Sequence, residues 1–180
     1  MKIVAIDFET ANYAPESACA LGVVAVEDGK ITRTDYRLIR PPQNHFVFSY
    51  LHGIRWKQVR NQPSFIEVWD SFAELLCGAD FLLAHNAPFD RRVLAACCAF
   101  AGREPVLPPF ICTVRVARSV WNFRPASLDN VCLQLGISLR HHHAASDALA
   151  CATIAIRAME LGFSLRSAVV GRPRRARRAG

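Results

Sequence analysis

The sequence predicts an α/β domain in which helices cover both faces of a mixed β-sheet. Three apolar runs near the N-terminus are joined by short connections, which predicts an antiparallel meander of three strands. After residue 64 short apolar runs alternate with amphipathic stretches, which predicts parallel strands connected by helices. The 180 residues are 52% apolar and 21% charged, which suits one domain with a sizeable core.

The meander comes first in the chain. We expect its strands over residues 2–10, 18–27 and 30–39. Asp28-Gly29, between the second and third strands, is a strong signal for a two-residue hairpin turn. The adjacent Pro41 and Pro42 end the meander, because neither can donate a hydrogen bond to a neighbouring strand.

The alternating part begins after a loop that contains His52. A helix is predicted from Ser64, its N-cap, to Cys77, because apolar residues recur there at helical spacing. Two short strands and four helices follow. We expect strands over 81–84 and 110–112. The first two helices are expected from about Asp90 to Gly102 and over 113–121. The last two are expected from Ala126 or Ser127 to just before Gly136, and over 145–161.

Composition excludes several classes of protein. Mean hydropathy is +0.14, but no apolar run approaches the roughly 18 residues of a membrane span, so we expect no membrane association. The chain enters its first strand without a basic segment and a cleavable apolar segment, so no signal peptide is expected. Seven Cys form no C-x-x-C pair, which suits reduced, buried thiols in a cytoplasmic protein rather than disulfides or a zinc site.

Most of the net charge lies at the C-terminus. The chain carries +7, but residues 171–180 hold five Arg and no acid, which leaves about +2 for the rest. We therefore expect a folded domain over residues 1–165 and a basic, disordered tail over residues 166–180. The tail would either attract phosphates without sequence preference or be a solvated terminus of little consequence.

Four carboxylates lie at the ends of apolar elements. Asp7 and Glu9 are two positions apart on the first strand, so their side chains point to one face. Asp147 lies on the core-facing side of the last helix, and Asp90 lies in the first turn of an earlier helix. Solvation or the helix dipole could explain each acid separately. If they converge, they need cations, and two divalent ions about 4 Å apart would form a site for phosphoryl chemistry.

His142 is the candidate base beside these acids. It precedes Asp147 by five residues, in the loop that leads into the last helix. Histidine titrates near neutral pH and can take a proton from an attacking water. The run Arg140-His141-His142-His143 would by itself indicate only a surface cluster or an adventitious metal site.

Three motifs in order resemble those of a known family. They are Asp7-x-Glu9, the run His85-Asn86-Ala87-Pro88-Phe89-Asp90, and His142-x-Ala144-x-x-Asp147. They resemble the exonuclease motifs of the DEDD superfamily, histidine subtype, which includes the epsilon subunit of DNA polymerase III and ribonuclease T. Of the three consecutive histidines, only His142 has both Ala and Asp at the required offsets. The resemblance spans about residues 2 to 160.

The resemblance implies a ribonuclease-H-like fold and metal-dependent 3′–5′ hydrolysis of nucleic acid to nucleoside monophosphates. Asp7, Glu9 and Asp147 would be direct ligands of Mg²⁺ or Mn²⁺, with Asp7 bridging two ions. Asp90 would hold the second ion, and His142 would be the general base.

Four more residues are expected near the substrate. By the same resemblance, Thr10 and His52 match positions close to the terminal nucleotide, and Asn86 would orient the loop of the second motif. Phe8 is an aromatic residue that could stack on an unpaired base. A hydrogen-bonded turn residue, a turn histidine, a helix cap and a core aromatic are their structural alternatives. The other aromatic candidates are Phe46, Phe48, Tyr50, Trp56 and Phe123.

The expected partner is nucleic acid, with DNA favoured over RNA and a single-stranded or frayed 3′ end favoured as substrate. Because no extension resembles the one that tethers epsilon to its polymerase, free-standing repair or turnover is favoured over dedicated proofreading. A polymerase or repair partner stays open, as does the oligomeric state. The alternatives are an exoribonuclease and a non-catalytic nucleic-acid-binding module of the same fold. A nucleotide phosphohydrolase is disfavoured because the chain has no P-loop.

Overall fold

One mixed sheet forms the centre of the fold. The computed structural model describes residues 1–104 and 107–170. The strands are β1 (Lys2–Thr10), β2 (Ala18–Glu27), β3 (Lys30–Leu38), β4 (Phe81–Ala84), β5 (Phe110–Cys112) and β6 (Val169–Val170), in the order β3-β2-β1-β4-β5-β6. β1, β4 and β5 are mutually parallel, whereas β2, β3 and β6 pair antiparallel to their neighbours. The predicted meander and mixed sheet are confirmed.

The β2–β3 hairpin turns where the sequence predicts it. Asp28 and Gly29 both have positive φ, 49° and 78°. This is the backbone of a two-residue turn whose twist matches that of the strands.

Helices cover both faces of the sheet, as predicted. They are α1 (Ser49–His52), α2 (Trp56–Val59), α3 (Phe65–Asp70), α4 (Ala73–Leu76), α5 (Ala87–Phe100), α6 (Thr113–Val120), α7 (Leu128–Leu135) and α8 (Ala144–Glu160). One hydrophobic core joins α3, α4 and α5 to one face of the sheet. A second core joins α6, α7 and α8 to the other face.

Two predictions about helices are wrong. The helix expected over residues 64–77 is interrupted between α3 and α4, where the Ser71 hydroxyl donates to the Val68 carbonyl at 2.6 Å and competes with regular helical bonding. Its start is correct, because Ser64 and Glu67 form a capping box. The loop expected around His52 contains α1 and α2, whose four residues each are too few to show helical periodicity.

The C-terminal boundary lies later than expected. A 3₁₀ helix over Leu165–Ala168 leads into β6, which pairs with β5. Leu165 and Ala168 are buried in the core that contains α8. The folded domain therefore reaches Val170, and residues 166–170 are not part of a disordered tail. The remainder of the predicted tail, residues 171–180, lies outside the described residues.

The seven Cys are free thiols, as expected, and six of them are buried while Cys77 is exposed. Within residues 1–104 and 107–170, no helix has both the length and the apolar character required to cross a membrane.

Alternation along β1 directs its two acids towards α8. Ile3 and Ala5 belong to the core that contains α8, whereas Val4, Ile6 and Phe8 belong to the opposite core. Asp7 and Glu9 continue the row of Ile3 and Ala5, because alternate strand residues share a face. Both carboxylates therefore lie on the α8 side of the sheet.

Gly22 allows the start of α8 to approach the sheet closely. It is paired with Asp7 on β1 and with Tyr36 on β3. A Cβ atom at residue 22 would lie 2.1 Å from the Ala144 carbonyl oxygen. Since a backbone atom cannot move aside cheaply, only glycine fits this crossing. Asp147, in the first turn of α8, is thereby brought close to Asp7.

We expect Gly22→Ala to lower the free energy of unfolding by about 3 kcal/mol or more, because the new methyl group must push α8 off the sheet. Urea denaturation measures the change. Gly162→Ala is the control: its Cβ meets no atom within 4 Å, and its φ of +80° adds only left-handed strain of about 1 kcal/mol. Equal losses in the two variants would contradict a close packing of α8 against β2.

Candidate active site

A cleft of about 460 Å³ opens at the carboxyl ends of β1 and β4. The carboxyl ends of parallel strands are where open α/β sheets commonly bind ligands. The described residues that line the cleft include no Lys or Arg. They are Asp7, Phe8, Glu9, Thr10, Phe48, Leu51, His52, His85, Phe89, Ser127, Leu128, His141, His142 and Asp147.

Three of the four predicted acids meet in this cleft. Asp7, Glu9 and Asp147 each offer one carboxylate oxygen, and these oxygens lie within 4.8 Å of one another. Asp147 is only 4% exposed, and its Oδ1 atom has no hydrogen-bond partner among the described residues. A buried carboxylate oxygen without a partner is costly, and an all-oxygen donor set suits a hard divalent cation. The cluster therefore fits a divalent metal ion.

Burial raises the pKa of every carboxyl in the cluster, and repulsion from neighbouring carboxylates adds to the shift at Asp7 and Glu9. The pKa of Asp7 lies well above its ordinary value, because of burial first and then the charges of Asp90, Asp147 and Glu9. Burial, followed by the charge of Asp147, raises the pKa of Glu9 to about 7. Burial raises the pKa of Asp147 to about 6, although the His142 amide opposes the shift. The metal-free cluster thus holds protons at pH values where ordinary carboxyls are ionised.

Asp90, the fourth predicted acid, lies beside the cluster but outside it. It is 1% exposed, and its Oδ1 atom accepts the Phe8 amide at 3.1 Å. β4 pairs with β1 only as far as Ala5, so this bond serves the β1 backbone beyond the last paired residue. Burial is the main cause that raises the pKa of Asp90. Asp90 joins α5 to β1 and adds negative charge close to Asp7.

His142 is held at the cleft by its backbone. Its φ of +61° is left-handed, and its amide donates to Asp147 Oδ2 at 3.1 Å. The ring offers a nitrogen within 4.8 Å of a carboxylate oxygen of Asp147. Burial and the nearby charge of His141 lower the pKa of His142. The predicted base and the predicted metal ligand are therefore neighbours.

His52 lines the cleft but is engaged with the backbone. Its Nδ1 accepts the Ile54 amide at 3.0 Å, so Nε2 carries the proton and donates to the Thr10 carbonyl at 3.2 Å. Burial lowers the pKa of His52, which favours this neutral tautomer. Thr10 is also buried and lines the cleft. The two predicted substrate residues thus connect α1 to the end of β1.

Asn86 and Phe8 have clear structural roles. Asn86 is exposed, has a left-handed φ of 66° at the start of α5, and is not among the residues that line the cleft. Phe8 forms part of the cleft wall, but its ring is 3% exposed and packs against Phe65, with ring centroids 6.2 Å apart. A base cannot stack on a ring buried in this way. The aromatic rings more open to the cleft are those of Phe48 and Phe89.

The sequence prediction missed the importance of His85. Its Nε2 donates to the Ala126 carbonyl at 3.0 Å, and its Nδ1 lies 2.9 Å from Thr113 Oγ1. Burial lowers its pKa to about 4, so the ring is neutral. His85 joins the end of β4 to the start of α6 and to the segment before α7. Its position at the head of the second motif was the available signal.

Comparison with known proteins agrees with this geometry. The sequence model of the exonuclease family matches residues 4–155. The chain belongs to the exonuclease family. This confirms the resemblance seen in the three motifs.

Two sequence relatives are each longer than this chain. It is 32% identical over 162 residues to a PolC-type DNA polymerase III from Thermotoga petrophila, covering 88% of this chain and 12% of the relative. It is 30% identical over 145 residues to exodeoxyribonuclease 10 from Escherichia coli, covering 74% of this chain and 58% of the relative. The chain therefore spans less than two thirds of either relative.

Solved structures confirm the ribonuclease-H-like exonuclease fold. Exonuclease X in complex with 5′ overhanging duplex DNA superposes with a TM-score of 0.73 at 25% identity, covering 92% of this chain and 96% of that one. The nuclease domain of 3′hExo, a DEDDh family member bound to rAMP, superposes with a TM-score of 0.81 at 21% identity, covering 96% and 97%.

We expect the metal-free protein to lose stability as the pH rises from about 4 to 8. The pKa values of Glu9 and Asp147 are about 7 and about 6 in the folded state, against 4.5 and 3.8 ordinarily. Because the folded-state values are higher, their stabilising contribution is full below the unfolded pKa and is lost as the pH rises through the folded pKa. Asp7→Asn, which removes a buried carboxyl whose own pKa is raised, should flatten this decline.

Urea denaturation in chelator at pH 5 and pH 8 measures both effects. Glu74→Gln is the matched control, because Glu74 is exposed on α4 and its removal should leave the pH dependence unchanged. Added Mn²⁺ should restore the stability of the native protein at pH 8. A decline as steep in Asp7→Asn as in the native chain would contradict a raised pKa for Asp7.

Proposed function

We propose that this chain is a metal-dependent 3′–5′ exonuclease that hydrolyses DNA from single-stranded or frayed 3′ ends and releases nucleoside monophosphates. The observation that carries the proposal is the convergence of Asp7, Glu9 and Asp147, with an unpartnered buried oxygen, beside the ring of His142. The names of the relatives support DNA as the substrate: a DNA polymerase III, an exodeoxyribonuclease, and exonuclease X bound to duplex DNA.

The carboxylates would hold the metal. Asp7, Glu9 and Asp147 supply oxygen ligands suited to Mg²⁺ or Mn²⁺, with Asp7 between the other charges. Asp90 would support the second ion from behind Asp7. When bound, two divalent ions activate water as a nucleophile and neutralise the charge that develops on the scissile phosphate. The raised pKa values of the acids support the proposal, because a bound cation would stabilise the ionised carboxylates.

His142 would act as the general base. Its lowered pKa keeps the ring neutral near pH 7, so it can accept a proton from the attacking water. The bond from its amide to Asp147 fixes the loop relative to the metal ligand. His142 would thus lie close to the attacking water and to Asp147, which would hold the ion.

The opposite wall of the cleft would hold the terminal nucleotide. Phe48, Leu51 and Phe89 present an apolar surface that suits the faces of an unpaired base and its sugar. Thr10, fixed by His52, brings the end of β1 close to the same position. A single-stranded end, whose terminal base is unpaired, can present that base to this apolar surface.

The relatives support two settings for the activity. A PolC-type polymerase contains a segment similar to this chain, which supports a role beside a DNA polymerase. Exodeoxyribonuclease 10 and exonuclease X support free-standing action in repair or turnover. We favour the free-standing role, because these two match the larger fraction of their own length.

Purified protein with 5′-labelled single-stranded DNA and matched RNA tests the activity. We expect a ladder that shortens from the 3′ end with Mg²⁺ or Mn²⁺, no shortening in chelator, and faster cleavage of DNA. RNA cleaved faster than DNA would favour the exoribonuclease alternative. Tight binding without shortening of either substrate would favour the non-catalytic module.

Substitution of two adjacent histidines, one at a time, tests whether His142 is the general base. We expect His142→Ala to lower the rate by roughly 10²–10⁴-fold, the usual contribution of a general base. His143→Ala is the matched control, because the ring of His143 stacks on Tyr36, with centroids 4.9 Å apart, and does not line the cleft. Similar rates for native protein and His142→Ala would remove His142 from the role of base.

A further inference from the structure

A second group of ligand atoms adjoins the carboxylate cluster. His141, His142 and Asp147 each offer one ligand atom, and these atoms lie within 4.8 Å of one another. The rings of His141 and His142 are packed together, with centroids 4.1 Å apart. Asp147 also belongs to the carboxylate cluster, and its Oδ1 atom, buried and without a partner among the described residues, is available as a ligand.

The two groups differ in their donor chemistry. Asp7, Glu9 and Asp147 offer oxygen alone, which suits hard cations. His141, His142 and Asp147 offer two imidazole nitrogens and one oxygen, which suits Zn²⁺ and similar transition metals. Tetrahedral Zn²⁺ with bonds of about 2.0–2.1 Å places its ligand atoms about 3.3 Å apart. The ligand atoms of the three residues now lie within 4.8 Å of one another, and a small movement of the exposed His141 side chain would bring them to that spacing.

We propose that His141, His142 and Asp147 form a binding site for Zn²⁺ or a similar borderline transition metal, and that its occupancy arrests the exonuclease. The arrest, unlike the binding, rests on the proposed function. A metal on the ring of His142 would remove the lone pair needed for proton transfer. The same metal would draw Asp147 away from the carboxylate cluster.

His141 distinguishes this site from the third motif, because it lies outside the residues that resemble those of the exonuclease family. The motif requires only His142 and Asp147, whereas the second nitrogen ligand comes from a neighbour that the motif does not specify. His143, on the other side of His142, points elsewhere, because its ring stacks on Tyr36. Two of the three consecutive histidines therefore serve the site, and the third supplies an internal control.

Zn²⁺ binding is measured first, without substrate. Metal-free protein and a chromogenic Zn²⁺ indicator compete for the ion, and every variant also carries Cys77→Ser to remove the exposed thiol. His141→Ala should weaken Zn²⁺ binding at least about tenfold, since even the loss of a residue that only supports a ligand commonly costs about 10–100-fold in affinity. His142→Ala should weaken it similarly, and His143→Ala should leave it unchanged.

Inhibition is measured second, with Mg²⁺ at a fixed concentration and Zn²⁺ added. Half-inhibition of DNA hydrolysis in His141→Ala should require at least about ten times more Zn²⁺ than in the native protein or His143→Ala. Unchanged Zn²⁺ affinity in His141→Ala would overturn the site and place the ion on the carboxylates. Weakened affinity with unchanged inhibition would overturn the arrest.

The two measurements also separate this inference from the proposed function. If no hydrolysis occurs with Mg²⁺ before Zn²⁺ is added, the proposed function fails. A loss of Zn²⁺ binding confined to His141→Ala and His142→Ala would still support the metal site in that case.

Discussion

Repulsion between carboxylates is the constraint on which the rest of the site depends. Asp7, Glu9 and Asp147 are gathered in a cleft whose described lining has no Lys or Arg, and Asp90 adds a buried charge behind them. The fold therefore holds an arrangement that is unfavourable without a cation. Packing in the two cores on either side of the sheet stabilises the fold despite this arrangement, and binding of a divalent ion would stabilise it further. Similar trade-offs between stability and function are common at active sites.

Three parts of the fold hold the four acids. Alternation along β1 places Asp7 and Glu9 on one face, and the hydrogen bond from the Phe8 amide fixes Asp90, in the first turn of α5, against β1. Gly22 brings the N-terminus of α8, and with it Asp147, against the sheet. The positive end of the α8 dipole also favours a carboxylate in its first turn. The site thus depends on the packing of one helix on one glycine as much as on the acids themselves.

Features encoded by local pattern were predicted well from sequence. The Asp28-Gly29 hairpin, the Ser64 capping box and the face occupied by Asp147 all follow from spacing of a few residues. Features that depend on distant contacts were not. The short helix around His52, the pairing of β6 with β5, and the close approach of Gly22 to Ala144 are decided by packing between segments far apart in the chain. The buried state of Phe8 belongs to the same class, because it depends on Phe65 across the core.

The central claim is that the carboxylate cluster exists to hold divalent metal. Counting bound Mn²⁺ by electron paramagnetic resonance in metal-free protein tests it most directly. A two-metal site predicts two Mn²⁺ per chain at saturation in the native protein, with binding largely lost in Asp7→Asn and retained in the exposed control Glu74→Gln. Native protein that leaves Mn²⁺ free in solution, or Asp7→Asn that binds it as the native chain does, would contradict the account.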